Sequence, residues 1–191
     1  MNMIETKRPF EEQIHFIIII GILWGLLELF LMPVLRSNAR GIAGLVMPFI
    51  SVSFILTARA WMPARGTVFL SAVIGAMIKF LLGGMVLKGA FMAILVEAAI
   101  IELIYLMSGF ALWGYVASGI LVQLYSAFHP WITKGLLCQS SHFVFFKKFL
   151  NGQFDLQPER TALIAILLTA HIIMGLMSGL LAWWAIKKIR Y

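Results

Sequence analysis

The stretch that decides the fold is Ile14-His-Phe-Ile-Ile-Ile-Ile-Gly-Ile-Leu-Trp-Gly-Leu-Leu-Glu-Leu-Phe-Leu-Met-Pro-Val-Leu35. A helix needs about 20 predominantly apolar residues to cross the hydrocarbon core of a bilayer, and this run is long enough. Its only carboxylate, Glu28, lies well inside the run. A charge in hydrocarbon costs roughly 3 kcal/mol on insertion scales, so such residues usually face protein and have a partner. We therefore expect a membrane helix whose Glu28 points into a bundle.

The composition extends this expectation to the whole chain. Of its 191 residues, 62% are hydrophobic and only 12% are charged, which is typical of an integral membrane protein. Alternation with a period of two is absent, so helices are favoured over a barrel. We predict a single all-α membrane domain, residues 1–191, built as a bundle of six transmembrane helices with an interfacial loop at 131–158 before the last span. The predicted spans are 14–35, 41–60, 67–82, 89–107, 109–130 and 160–186.

The basic residues bear on location and orientation. The net charge of +7 comes mostly from residues at span ends, where they meet lipid headgroups, so we expect the lipid bilayer and no nucleic acid as a partner. Residues 1–13 are expected to form a short interfacial segment before a first span that is retained. Counting basic residues on the two sides gives a tie. The basic C-terminal tail and the pair Arg59 and Arg65 favour cytoplasmic termini in the cell membrane.

Charged residues inside three spans reach similar depths. At about 1.5 Å per residue, Glu28 lies ~21 Å and Lys79 ~18 Å from the starts of two spans that run in the same direction. Glu97 enters from the opposite side and lies ~12 Å from its start, which is about the same layer of a core ~30 Å thick. Two interpretations stay open. Glu28 and Lys79 form a structural ion pair, or all three residues form the floor of a pocket with one carboxylate left for a cationic or hydrogen-bonding ligand.

Small residues share helical faces with two of these charges. Gly21 and Gly25 lie on the face of Glu28, and Ala72 and Ala76 lie on the face of Lys79. Small residues at four-residue spacing let helices approach closely in lipid. These charges are therefore expected to face protein.

Other polar groups are weaker candidates. Gln123 lies in the fifth span, His171 in the sixth, and Arg36 in the first loop, where it can bind an anionic ligand group or a lipid headgroup. Glu102 is rotated by about 140° from Glu97 on the same helix and is expected to contact a partner instead. The histidines show no metal-ligand spacing and no phosphate-binding loop occurs, so we predict no metal, no cofactor and no ATP hydrolysis by this chain.

The size, the six short spans, the basic termini and the small-residue stripes together resemble the substrate-binding S components of energy-coupling-factor transporters. The resemblance covers about residues 14–186, and the residues that carry it are Gly21-x-x-x-Gly25, Ala72-x-x-x-Ala76, Trp24-Gly-Leu-Leu-Glu28, and Glu97 beyond Lys79-Phe-Leu-Leu-Gly-Gly84. It implies that Gly21, Gly25, Ala72 and Ala76 contact a transmembrane coupling subunit that works with two ATPases. It also implies a vitamin-like ligand bound near the outer face. Asn2 stands where the nickel and cobalt branch has histidine, which argues against a metal cargo.

The leading hypothesis is therefore a non-enzymatic substrate-binding subunit of a nutrient transporter. Its expected ligand contacts are Glu28, Arg36, Lys79, Glu97, Gln123 and His171. The alternative is a non-catalytic subunit or assembly factor of a larger membrane complex, in which the stripes bind partner helices. A membrane enzyme that acts on lipid-soluble substrates remains a third class.

Overall fold

The computed structural model describes residues 10–38, 42–83, 88–134, 147–148, 151 and 160–190. Within these ranges the regular structure is entirely helical, which confirms the predicted all-α class. A short 3-10 turn, Arg59–Trp61, follows the second helix. The six α-helices are α1 (Phe10–Asn38), α2 (Ala43–Ala58), α3 (Thr67–Gly83), α4 (Lys88–Ser108), α5 (Leu112–Lys134) and α6 (Arg160–Arg190).

Several of these helices fit a bilayer. Four segments of the described chain are long and apolar enough to cross a membrane, namely those within α1, α2 with its 3-10 turn, α4 and α6. Helix α3 is apolar but shorter. The helical membrane class is thus supported by length and composition.

Three predicted boundaries differ from the structure by four residues, and one of them is the end of α6, which lies at Arg190 instead of 186. Helix α1 begins at Phe10, inside the segment predicted to lie at the interface, because Glu11 and Glu12 stand in its first turn, where the helix dipole favours negative charge. Helix α5 runs through Pro130 to Lys134, past the predicted end, since neighbouring helices allow proline within membrane helices. The predicted interfacial loop 131–158 therefore starts inside α5. Apart from residues 147, 148 and 151, its remainder lies outside the described residues.

The six helices form a closed ring of contacts, and one of its members, α2, is more buried than the rest. Going round the ring, the packed order is α1, α3, α4, α5, α6 and α2, and α2 also contacts α5. Of the residues in the apolar stretch of α2, 67% are buried, against 28% in that of α1 and 33% in those of α4 and α6. Helix α2 is therefore surrounded mostly by protein.

The extensive contact between α1 and α3 depends on glycine. A Cβ atom added to Gly25 would lie 2.7 Å from the carbonyl oxygen of Gly75, and one added to Gly21 would lie 2.7 Å from that of Ser71. Such distances leave no room for a side chain, so the two backbones touch. This explains why α1 packs more extensively on α3 than on α2, its neighbour in sequence.

A buried arginine joins the helix ends on the side of the bundle where α1 begins. Arg59 is only 2% exposed. Its Nη1 donates to the carbonyl oxygen of Ala64 at 2.7 Å, and also to Met62 O and Thr67 Oγ1. Its guanidinium lies 3.7 Å from the ring centroid of Tyr105 on α4. The end of α2 is thereby fixed to the start of α3 and to α4.

Glu102 also lies beside Arg59, and this differs from the expectation that Glu102 contacts a partner. Its Oε1 accepts a hydrogen bond of 2.8 Å from the backbone N–H of Val68, in the first turn of α3, and its Oε2 lies 3.7 Å from Arg59 Nη2. A carboxylate at a helix N-terminus satisfies a free N–H and the helix dipole. Glu102 therefore serves a contact within the chain, not a partner.

Candidate functional site

Glu28 and Lys79 form a buried ion pair. Lys79 Nζ lies 2.8 Å from Glu28 Oε2, and Ser51 Oγ on α2 donates to Glu28 Oε1 at 2.7 Å. Each carboxylate oxygen thus has a partner. The matching depths of the two residues predicted this ion pair, whereas Ser51 gave no sequence signal beyond being a polar residue in an apolar run.

The close contact of α1 with α3 determines where Glu28 and Lys79 meet. Glu28 follows Gly25 by three residues and Lys79 follows Gly75 by four, so each charge lies one turn beyond the point where the backbones touch. Because both helices run in the same direction, the two side chains reach one depth. The glycines therefore set the geometry of the ion pair.

Glu97 on α4 is different, because it is buried without such partners. It is 6% exposed, and its Oε2 has no hydrogen-bond partner among the described residues. No lysine, arginine or histidine nitrogen of the described chain forms an ion pair with it. It lies close enough to Glu28 and Lys79 for their charges to interact with its own. Two carboxylates thus share the neighbourhood of a single ammonium group.

Helix α5 adds two aromatic polar groups to the same neighbourhood. The hydroxyl of Tyr125 lies 3.0 Å from Nδ1 of His129, one turn further along the helix. Tyr125 interacts electrostatically with Glu97, and His129 does so with Lys79. Both side chains are partly buried. We call Glu28, Ser51, Lys79, Glu97, Tyr125 and His129 the polar cluster.

The other predicted ligand contacts have different surroundings. Gln123 is fully buried and donates from Nε2 to Leu45 O on α2 at 3.1 Å, while its Oε1 has no hydrogen-bond partner among the described residues. His171 Nδ1 lies 2.8 Å from Leu167 O of its own helix. Arg36 is exposed in the last turn of α1, about 12 Å along the axis from Glu28. Of the six residues predicted to bind ligand, the structure therefore brings Glu28, Lys79 and Glu97 together.

The four small residues predicted to meet a coupling subunit lie inside the chain. Gly21 and Gly25 pack against α3, and Ala72 and Ala76 are 0% exposed in the hydrophobic core. The prediction of a close helix approach is confirmed for Gly21 and Gly25, whose partner is α3 of the same chain. Ala72 and Ala76 lie in the chain's own hydrophobic core.

No metal centre competes with the polar cluster as the candidate site in the part of the chain that the structure describes. Within the described ranges, no three His, Cys, Asp or Glu side chains are placed to hold a metal ion. A cavity beside Arg59, Tyr105 and Ser118 has a volume of about 10 Å³. This volume is about that of a single water, far below the size of a nutrient.

No protein-family model, curated protein or solved structure matches the chain. Its function is therefore inferred from the chemistry of the polar cluster.

Proposed function

We propose that the chain is a membrane-embedded substrate-binding subunit of a small-molecule transporter. Its ligand is a vitamin-like nutrient that carries a positively charged or N–H donor group. The observation that supports this is Glu97, a buried carboxylate whose Oε2 has no hydrogen-bond partner among the described residues. Buried polar groups in proteins are normally hydrogen-bonded, and ionisable groups inside membranes usually mark a substrate or ion pathway.

The neighbouring residues limit the chemistry of the ligand. The ion pair of Glu28 with Lys79 is complete, so Glu97 provides the free acceptor. Tyr125 and His129 offer hydrogen-bonding atoms from the α5 side. A ligand with an ammonium or amidinium group fits this arrangement, because it supplies both the missing charge and the missing donor. The rest of the ligand would lie against apolar side chains.

We further propose a topology and a coupling partner for the chain. With all six helices crossing the membrane, both termini lie on one side, which we assign to the cytoplasm of the cell. Glu97 then lies about 14 Å along α4 from its start at Lys88, on the opposite side. In line with the family resemblance, an ATPase-driven coupling subunit would power transport. It would contact a lipid-facing surface, since the small-residue stripes are buried within the chain.

Ligand-induced stabilisation tests this function. The purified protein is heated with a panel of nutrients that carry ammonium groups and with neutral analogues. At a hundred times its dissociation constant, a ligand stabilises the folded state by about 2.7 kcal/mol. We expect the cationic compounds alone to raise the unfolding midpoint of the wild type and of Glu12→Gln, which removes an exposed carboxylate. Glu97→Gln should show no shift.

The competing function is a non-catalytic subunit or assembly factor of a larger membrane complex. The observation that favours it is the ion pair itself, because Ser51 and Lys79 satisfy both oxygens of Glu28 without any ligand. In that case no compound shifts the midpoint, Glu97→Gln leaves activity in the cell unchanged, and a partner other than an ATPase module copurifies with the chain.

A further inference from the structure

We propose that Glu97 carries an exchangeable proton while no ligand is bound, and that the positive charge of the ligand replaces this proton. This inference rests on the proposed function, because it assigns the same site a second, smaller occupant. Ligand binding would then release one proton to water. The transporter site would be proton-linked.

The charges of the polar cluster do not balance if Glu97 is ionised. Glu28 and Lys79 neutralise each other at 2.8 Å, so an ionised Glu97 would leave one net negative charge in the bundle interior. An isolated buried carboxylate is so costly that the group usually takes up a proton instead. A proton or a bound cation is therefore needed to neutralise Glu97 inside the bundle.

Among the described residues, the charged and titratable groups on the helices around Glu97 do not supply the positive charge that would neutralise it. Helix α3 contributes Lys79, whose ammonium is held by Glu28 of α1, and Glu28 itself repels a second negative charge. Helix α5 contributes Tyr125, which is uncharged in its ordinary form, and His129, which interacts with Lys79. Helix α2 contributes Ser51, which donates to Glu28. Among these described groups none forms an ion pair with Glu97.

Tyr125 and His129 extend the polar cluster toward the bundle side opposite the start of α1. The hydroxyl lies beside Nδ1 of His129 at 3.0 Å, and His129 is one helical turn closer to that side. The proton that leaves Glu97 goes to water. Counted over the whole step, the carboxylic acid loses H⁺, the carboxylate binds the ligand cation, and the net charge of the cluster stays constant.

Infrared spectroscopy of the purified protein in lipid vesicles tests the inference. A protonated carboxyl group has a carbonyl band apart from that of a carboxylate, and this band shifts in heavy water. We expect the band in the wild type and in Glu12→Gln and its absence in Glu97→Gln. Methylammonium chloride serves as the probe cation. Its addition should remove the wild-type band and release about one proton per bound methylammonium, measured in a weakly buffered solution.

The wild-type measurement is informative even if Glu97→Gln fails to fold. Glu97→Asp then replaces it, because a shorter carboxyl shifts the band instead of removing it. A wild type without the band overturns the inference. If methylammonium still binds in that case, the proposed function stands with an ionised Glu97. A band that persists while methylammonium binds overturns the exchange. If no ammonium compound binds and the band persists, the proposed function and the exchange are contradicted, while the proton on Glu97 is supported.

Discussion

The carbonyl oxygen of Gly75 lies 2.7 Å from the position that a Cβ atom would occupy on Gly25. This contact determines how near α1 and α3 lie, and one turn further on it brings the carboxylate of Glu28 to the ammonium of Lys79. Packing and electrostatics are therefore coupled in this part of the bundle. A substitution at Gly25 or Gly75 should therefore weaken the ion pair.

Gly25→Ala tests this coupling. The added methyl group has no space, so α1 must move away from α3, and overpacking of this kind typically costs about 1–3 kcal/mol. We expect a lower midpoint of thermal unfolding for Gly25→Ala. Val73→Ile adds a carbon on the exposed face of α3 and should leave the midpoint unchanged. Equal effects of both changes would show that the contact of α1 with α3 is not tight in the membrane.

Lys79→Met should destabilise the protein strongly, because it leaves the buried carboxylate of Glu28 without its counter-charge. Removing one partner of a buried ion pair costs about 3–5 kcal/mol, whereas replacing both by apolar residues is often neutral. The double variant Glu28→Met with Lys79→Met should therefore be more stable than Lys79→Met alone. The exchanged pair, Glu28→Lys with Lys79→Glu, should also recover stability. A double-mutant cycle of unfolding free energies measures the coupling, and purely additive losses would contradict the pairing.

Glu97→Leu, in contrast, is expected to stabilise the protein. Since Glu97 Oε2 is buried without a hydrogen bond among the described residues, its removal relieves a cost of about 1–3 kcal/mol. The unfolding midpoint should rise while binding of cationic compounds is lost, a trade-off common at functional sites. Glu28→Leu is the matched comparison, and it should lower the midpoint. A drop for Glu97→Leu as large as that for Glu28→Leu would mean that Glu97 has a structural partner.

Arg59→Met should loosen the ends of α2, α3 and α4. The change removes donors to Ala64 and Thr67 and leaves the Glu102 carboxylate without a cation, at a cost of about 3–5 kcal/mol. Arg65→Met removes an exposed arginine from the same connection and should have little effect. Hydrogen exchange at the amides of residues 62–68 reports the local change. Unaltered exchange in Arg59→Met would contradict the role of this anchor.

The sequence was most informative where helix geometry alone decides a position. The rise per residue placed Glu28 and Lys79 at one depth, and they meet. The same reasoning placed Glu97 nearby, but whether a partner reaches it depends on side-chain positions of α3 and α5, which a single sequence does not define. Periodicity likewise showed that Gly21 and Gly25 allow a close approach without identifying the helix that approaches.

Other features depended on the order of helices in the ring. Arg59 was counted only as a basic residue at the end of a span, because a sequence does not show that the following loop folds back around the guanidinium. Gln123 and His171 were predicted as ligand contacts because they are polar residues within the fifth and sixth spans. In the structure Gln123 donates to α2 and His171 contacts its own helix, since a position along a span defines height in the bundle but not the direction a side chain faces.

The short α3 has a consequence for the surrounding lipid. Its 17 residues span about 26 Å, whereas the 29 residues of α1, packed directly against it, span about 44 Å. The hydrocarbon core of a bilayer is about 30 Å thick, so for a bilayer crossed by both helices, as the proposed topology has it, α3 is too short and α1 is too long. The acyl chains beside α3 would then compress, or α1 would tilt. In that arrangement membrane thickness would act on the contact that aligns Glu28 with Lys79, and acyl-chain length would become a variable of this protein's stability.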